Sequence, residues 1–222
     1  MHLANSLWDL AVGRRCLTCD RAGPAWCDLC LRSVVDIHSR QSPGGAGVAA
    51  AARYDGPVRT AVVAYKEHGH LALAVPLGRL LAGALASGRP SAVGVRPAIV
   101  PIPSTGAATR TRGNDHARRL ARQAGALSGV STVKALRWGR PIRDQAGLTA
   151  SERRLNVAGA MVARPPRAAN SVALLVDDIM TTGATLDEGT RALTSAGWVV
   201  AGVSVVAAVD ARRALAPRDP LR

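Results

Sequence analysis

Two adjacent acids carry the most distinctive chemistry in this sequence. Asp177 and Asp178 close the apolar run "SVALLV", and the segment "IMTTGAT" follows them. The apolar residues of this run, from Val172 to Val176, predict a strand covered on both faces of a sheet, so both acids are expected at its carboxyl end. The glycine and threonines that follow predict a tight loop leading into a helix.

The loop at residues 181–185 has the features of a phosphate site. Its glycine lets backbone amides approach an anion, its threonines add hydroxyl donors, and the helix N-terminus supplies free N–H groups. The two acids would repel that phosphate, so we expect them to accept hydrogen bonds from hydroxyls about one sugar away. Phosphate beside a diol describes a ribose 5-phosphate. A simple helix cap explains one acid but not the pair. The predicted phosphate-binding residues are Thr181, Thr182, Gly183, Ala184 and Thr185.

All four cysteines fall in one short segment, "CLTCDRAGPAWCDLC", as Cys16, Cys19, Cys27 and Cys30. Two CxxC turns can complete a tetrahedral site of four thiolates, which favours Zn²⁺. Four protein ligands leave no open position, so the metal would be structural. Disulfides are disfavoured in a cytoplasmic setting, a redox CxxC does not explain the second pair, and an iron site remains open.

The net charge and the composition indicate which classes of molecule this protein could bind. The 222 residues carry a formal net charge of +14, and only Lys66 and Lys134 of the basic residues are lysine. Arginine forks suit phosphate oxygens, so nucleic acid, nucleotides or phosphorylated substrates fit this charge, as does a solvated arginine-rich surface. The sequence shows no secretory signal and no apolar run long enough to span a bilayer, so we expect a cytoplasmic protein.

Predicted strands and helices alternate along most of the chain. This order favours an α/β fold, a doubly wound and mostly parallel sheet. We expect an N-terminal helix and zinc-binding knuckle over residues 1–45, with a linker at 39–48, and one larger domain over 46–222. Further expectations are a helix start at Asp55, an apolar helix face formed by Leu120, Ala121, Ala124 and Leu127, a strand at "STVKALRWG", and Ser151 as a helix cap.

The segment "LLVDDIMTTGAT" resembles the phosphoribosyl-pyrophosphate (PRPP) binding motif of type I phosphoribosyltransferases. The double CxxC, "YDGPVRTAVVAYKEHG", "VPIPST", "RTRGNDHA" and "RDQAGLTASERRLNVAGAM" precede it in the order seen in the ComF family, also called ComFC or GntX-like. The resemblance covers nearly the whole chain. It implies a type I phosphoribosyltransferase domain that binds PRPP with Mg²⁺.

The resemblance also assigns roles to individual residues. It implies that Asp177 and Asp178 contact the ribose hydroxyls and that the threonine loop holds the 5-phosphate. Lys66, Arg110 and Arg112 match basic positions on the pyrophosphate side. A mobile hood over the site is implied for the family's Arg/Gln/Arg/Asn segment, here Arg143, Gln145, Arg153, Arg154 and Asn156.

The resemblance leaves more than one function open. ComF-family proteins are associated with natural competence, which implies single-stranded DNA and a competence helicase as partners, with Trp26 or Trp138 either stacking bases or packing locally. The alternative is an active phosphoribosyltransferase that moves ribose 5-phosphate to a nitrogen acceptor and releases pyrophosphate, with Asp115 and His116 as candidates for base recognition. PRPP acting as a regulatory ligand would join the two. Phosphoribosyltransferase folds often form homodimers.

Overall fold

The main architectural feature is a five-stranded sheet with helices on both faces. The computed structural model describes residues 15–88, 97–104, 115–145, 147–169 and 171–210. Its strands are β1 (His38–Gln41), β2 (Gly47–Arg53), β3 (Ala98–Pro101), β4 (Leu136–Trp138), β5 (Met161–Ala163), β6 (Val172–Met180) and β7 (Val199–Ala208). Its helices are α1 (Asp28–Ser33), α2 (Gly56–Glu67), α3 (Ala74–Ser87), α4 (His116–Ser128), α5 (Ala150–Val157) and α6 (Ala184–Ser195).

The sheet has the strand order β1-β2-β7-β6-β3. Strand β1 pairs antiparallel with β2, and the other three pairings are parallel. The predicted α/β class with a mostly parallel sheet is therefore confirmed. A separate antiparallel pair is formed by β4 and β5. Because β2, β3 and β6 run parallel, the segments that follow them leave from the same edge of the sheet.

Each face of the sheet buries its own core. One core combines the apolar faces of α2, α3 and α4 with residues of the cysteine module, among them Trp26 and Leu31. The other lies between the sheet, α6 and the β4–β5 pair, and includes Leu136, Met161 and Leu186. Because aromatic residues are scarce, the two cores are built mainly from Ala, Val, Leu and Ile, as the composition predicts.

Local sequence signals define the helix ends. Asp115 caps α4 by accepting a hydrogen bond from the Arg118 amide at 3.2 Å, and Gly129 ends it with a left-handed backbone at φ +65°. Helix α2 begins directly after Asp55, as expected, and Pro57 occupies its first turn. Helix α5 begins with a capping box between Thr149 and Glu152.

Several local predictions were wrong. Thr149, and not Ser151, caps α5, because its side chain accepts from the Glu152 amide and Glu152 bonds back to the Thr149 amide. The expected linker at residues 39–48 instead includes most of β1 and the start of β2, which form a hairpin. The segment at 131–139 is divided: a parallel bridge joins Thr132 to Ile99, and only Leu136–Trp138 forms a strand.

Two further expectations concern helix faces. On α4, Leu120, Ala121 and Ala124 are buried as predicted, but Leu127 lies on the exposed side. The predicted N-terminal helix lies outside the described residues. No helix in the described part of the chain is long and apolar enough to cross a membrane.

Candidate functional site

The acid pair lies within the last residues of β6. The strand continues to Met180, so Asp177 and Asp178 end the apolar run but not the strand itself. Asp178 is only 7 % exposed, and its Oδ2 lies 2.8 Å from the Nζ of Lys66 on α2. The Asp178 amide donates to Oδ1 of Asp177 at 2.8 Å. Two carboxyl groups and one ammonium group therefore meet beside the loop that follows β6.

Burial and charge change the acidity of this pair. Burial is the main cause that raises the pKa of Asp177 to about 8, and the charge of Asp178 raises it further, against the opposing effect of Lys66. A carboxyl group in such a position binds a proton more tightly than an exposed aspartate. The pair can thus offer both an acceptor and, when Asp177 is protonated, a donor to a diol.

The predicted phosphate loop joins β6 to α6. Gly183 is the residue before α6 and has φ +81°, a left-handed backbone that favours glycine. The first helical hydrogen bond runs from the Asp187 amide to the Gly183 carbonyl at 2.9 Å, so N–H groups of the first turn lie N-terminal to it. Thr181 is exposed, and Thr182 and Thr185 are half-buried. The loop therefore carries a left-handed glycine and three threonine hydroxyls at the start of α6, and the Ala184 amide donates to the Thr182 hydroxyl at 3.4 Å.

The turn between β1 and β2 packs against this loop. A Cβ on Gly183 would lie 3.0 Å from Pro43 and 3.1 Å from Ser42. The Gly44 amide donates to Oδ2 of Asp187, in the first turn of α6, at 2.9 Å. No local sequence pattern predicts this contact, because Gly44 and Asp187 are 143 residues apart along the chain.

One predicted hood residue contacts the loop between β6 and α6. Arg153 donates from Nη1 to the Thr181 hydroxyl at 3.2 Å, and from Nε to the Gln145 carbonyl at 3.2 Å. Arg154, its neighbour on α5, is exposed, and no hydrogen bond among the described residues joins its side chain to the loop. The structure therefore places Arg153 against the loop and leaves Arg154 exposed, although the sequence predicts the same role for both.

Asn156 and Arg143 stabilise the segment before α5. The Asn156 amide group accepts from the Arg143 N–H at 3.0 Å and donates to the Arg143 carbonyl at 2.9 Å. This pair of bonds imitates a strand pairing and uses the backbone of Arg143, so the buried Asn156 has a structural role here. Arg110 and Arg112, expected on the pyrophosphate side, lie outside the described residues.

Glu188 on α6 was missed by sequence reasoning. Its buried carboxylate accepts two hydrogen bonds from Arg191, at 2.7 and 2.8 Å, and one each from the Met161 and Gly159 amides. Burial raises its pKa, but these hydrogen bonds outweigh burial and hold the pKa below its usual range. The spacing of Glu188 and Arg191, which carry opposite charges three residues apart on α6, was the sequence signal for this ion pair. This cluster joins the start of β5 to α6.

The four cysteines form a compact cluster. The Sγ atoms of Cys16, Cys19, Cys27 and Cys30 all lie within 4.8 Å of one another. Cys19 and Cys27 are 3.7 Å apart, close to the ~3.8 Å edge expected of a tetrahedron with zinc–sulfur bonds of about 2.3 Å. Burial raises the pKa of Cys16, but the amide of Cys27 and neighbouring amides outweigh it and lower the pKa to about 6. The set fits a structural Zn²⁺ with thiolate ligands.

The cysteine module packs onto the sheet domain. Trp26, between the two CxxC pairs, is 2 % exposed and lies in the core shared with α2 and α3. Asp28 accepts a hydrogen bond from Arg79 of α3 at 2.6 Å. A metal at the cysteines would therefore stabilise the docking of the module on this face.

The residues that the sequence offers as candidates for base contacts make contacts within the protein. Trp26 packs in the core, and the half-buried Trp138 donates from its indole to the Pro103 carbonyl at 2.9 Å. Asp115 caps α4, as described above. His116 is buried, with its ring centroid 4.8 Å from that of Tyr65 in an edge-on arrangement. Local packing therefore explains Trp26.

No family model matches the chain, and no curated protein is similar to it in sequence. One similar structure is an adenine phosphoribosyltransferase, at 15 % identity and a TM-score of 0.44, covering 81 % of this chain and 89 % of that one.

Two further solved structures that are similar to this chain are also phosphoribosyltransferases. An adenine phosphoribosyltransferase from Saccharomyces cerevisiae, crystallised with an imino-altritol bisphosphate and adenine, matches at 15 % identity and a TM-score of 0.38, over 80 % and 87 % of the two chains. An orotate phosphoribosyltransferase from Aeropyrum pernix matches at 16 % identity and a TM-score of 0.34, over 78 % and 75 %. Similarity at this level assigns no activity to this chain.

Proposed function

We propose that this protein binds PRPP at the carboxyl end of β6. The observation that carries the proposal is the direct succession of the acid pair and the threonine loop, with Lys66 held 2.8 Å from Asp178. The loop amides and hydroxyls would receive the 5-phosphate, and Asp177 and Asp178 would accept hydrogen bonds from the ribose hydroxyls. Lys66 and Arg153 supply positive charge beside the site.

The donor atoms at the site also fit Mg²⁺. Carboxylate oxygens of Asp177 and Asp178 are hard ligands of the type this ion prefers, and the ion is commonly bound through one or two carboxylates together with substrate phosphates. When bound, Mg²⁺ would neutralise charge on a departing pyrophosphate. The chain's own contribution would be to orient the ribose and to hold Lys66 and Arg153 near the leaving group.

Calorimetric titration of PRPP with Mg²⁺ tests this proposal. We expect binding to the wild type and its loss in the Asp177→Asn/Asp178→Asn variant, because the amides would retain the shape of the acids but not their charge. A matched control is Asp20→Asn/Asp28→Asn, which removes two acids from the cysteine module. Equal binding by the wild type and the site variant would refute the assignment of the acids.

Transfer of the ribose 5-phosphate to a nitrogen acceptor is a second function that this arrangement supports. In that reaction a bond forms between the acceptor nitrogen and the ribose C1, while the bond from C1 to pyrophosphate breaks. The position of Lys66 favours it, because a cation beside the acid pair can stabilise the leaving group. Release of pyrophosphate in a screen of nucleobases with wild type and Lys66→Met checks for this activity.

Membership of the ComF family and a role in DNA uptake are further parts of the proposal. The order of the sequence motifs, the clustered cysteines and the net charge of +14 support them. We expect binding of a labelled single strand that weakens steeply as salt rises, since phosphate contacts release counterions. Fluorescence anisotropy over a salt series measures this, and affinity that does not depend on salt would contradict it. Sedimentation would show whether the protein is a homodimer.

A further inference from the structure

A groove lies at the edge of the sheet opposite the acid pair. It runs between the first residues of β3 and β6, Ala98 and Val172, and the base of the β4–β5 pair, and it encloses about 570 Å³. Asp178 is six residues further along β6, which places it roughly 20 Å away at ~3.3 Å per residue. The groove is therefore separate from the proposed PRPP site.

Three cations surround this groove. Lys134, Arg164 and Arg167 line it and are exposed, and no aspartate or glutamate is found among the described residues of its lining. Within the described residues, none of the three forms an ion pair with a carboxylate. Three like charges gathered without a counter-charge repel one another, so a bound anion would be attracted strongly.

The groove also has an apolar floor that is fixed in position. Trp198, which is 8 % exposed, donates from its indole to the Arg164 carbonyl at 2.9 Å. The Arg164 amide in turn donates to the Ala135 carbonyl at 2.9 Å. The backbone of Arg164 is thus held by two hydrogen bonds, and Arg164 lines the groove together with Ala98, Val172 and Trp198.

We propose that this groove binds a nucleoside phosphate. Its volume lies within the ~300–1,000 Å³ of small-molecule sites, which combine an apolar lining with a few polar groups. The apolar floor suits the flat face of a base, and arginine forks and a lysine suit phosphate oxygens. A simple inorganic anion would contact the three cations but would not cover the apolar floor. The proposal does not depend on PRPP binding at the other edge.

The test uses the full zinc-loaded protein and a fluorescent ATP analogue that carries an N-methylanthraniloyl group on its ribose. We expect Arg164→Ala/Arg167→Ala to weaken binding at least tenfold, an effect of about 1.4 kcal/mol or more. The matched control Arg21→Ala/Arg59→Ala removes two exposed arginines elsewhere and should change affinity less than about twofold. Asp177→Asn/Asp178→Asn should bind the analogue like the wild type, which separates this groove from the PRPP site.

Competition and cross-linking define the ligand class and its place. Unlabelled ATP should displace the analogue at lower concentration than tripolyphosphate, since only ATP can use the apolar floor. An azido-ATP should cross-link to peptides containing residues 132–135 or 164–172. Absence of binding, equal displacement by tripolyphosphate, displacement only by an oligonucleotide or an acidic peptide, or unchanged affinity in the groove variant would each overturn the proposal.

Discussion

The ammonium of Lys66 lies 2.8 Å from a carboxylate oxygen of Asp178, which is almost fully buried. This ion pair joins the last turn of α2 to the end of β6. An ionised carboxyl group has about four acceptor sites on its two oxygens, so Asp178 can hold Lys66 and also accept a hydrogen bond from a ribose hydroxyl. The ammonium would then lie beside the bound ligand, where a pyrophosphate group could accept its hydrogen bonds.

Removing Lys66 should cost stability because it leaves a buried carboxylate without its partner. We expect Lys66→Met to lower the free energy of unfolding by about 2 kcal/mol. Lys66→Met/Asp178→Asn should recover more than half of that loss, because the uncompensated charge is gone. Urea denaturation of the two single variants and the double variant measures the coupling. Strictly additive effects would mean that the ion pair contributes nothing.

The raised pKa of Asp177 predicts how stability depends on pH. The folded protein holds this proton up to about pH 8, whereas the unfolded chain releases it near pH 3.8. Stability contributed by this group is therefore complete below that lower value and is lost as the pH rises towards 8. Asp177→Asn removes the effect, so the free energy of unfolding of the variant relative to the wild type should rise by roughly 3–4 kcal/mol between pH 5 and pH 8, at about 1.4 kcal/mol per pH unit. Urea denaturation at both pH values checks this, and a constant difference would contradict it.

Zinc at the four cysteines should hold the N-terminal module in place. We expect about one zinc per chain in reduced protein, and a strong chelator should release it. Because Trp26 is buried between the CxxC pairs, loss of the metal should expose its indole and shift the tryptophan emission to longer wavelength. A Trp26→Phe variant should lack this shift. Iron in place of zinc, or folded reduced protein without metal, would show that the assignment is wrong.

Arg153 and Arg154 should differ in their effect on PRPP binding. Arg153 reaches the Thr181 hydroxyl at 3.2 Å, whereas Arg154 is exposed. We expect Arg153→Ala to weaken PRPP about tenfold, through loss of a charge-assisted contact near the loop. Arg154→Ala should have an effect below about twofold. Calorimetry on both variants distinguishes them, and equal losses would indicate that the two side chains exchange roles when ligand binds.

Much of the site was predictable because its chemistry is local in sequence. Asp177, Asp178 and the threonine loop are consecutive, and the spacing of the cysteines alone indicated one cluster. The support of Gly183 by the turn at Pro43 was not predictable, since it depends on how distant segments pack. The same holds for Glu188, whose partners Gly159 and Met161 lie almost 30 residues away. Thr149, and not Ser151, caps α5 because Thr149 lies three residues before Glu152, which is the spacing of a capping box.

The most direct test of the site compares ribose 5-phosphate with 2-deoxyribose 5-phosphate. The two ligands share the phosphate and differ in one hydroxyl that we assign to the acid pair. Calorimetry should show that the wild type prefers ribose 5-phosphate about tenfold, a difference of ~1.4 kcal/mol, and that Asp177→Asn/Asp178→Asn loses this preference. Equal affinity of the wild type for both sugars would contradict the assignment of Asp177 and Asp178 to a ribose diol.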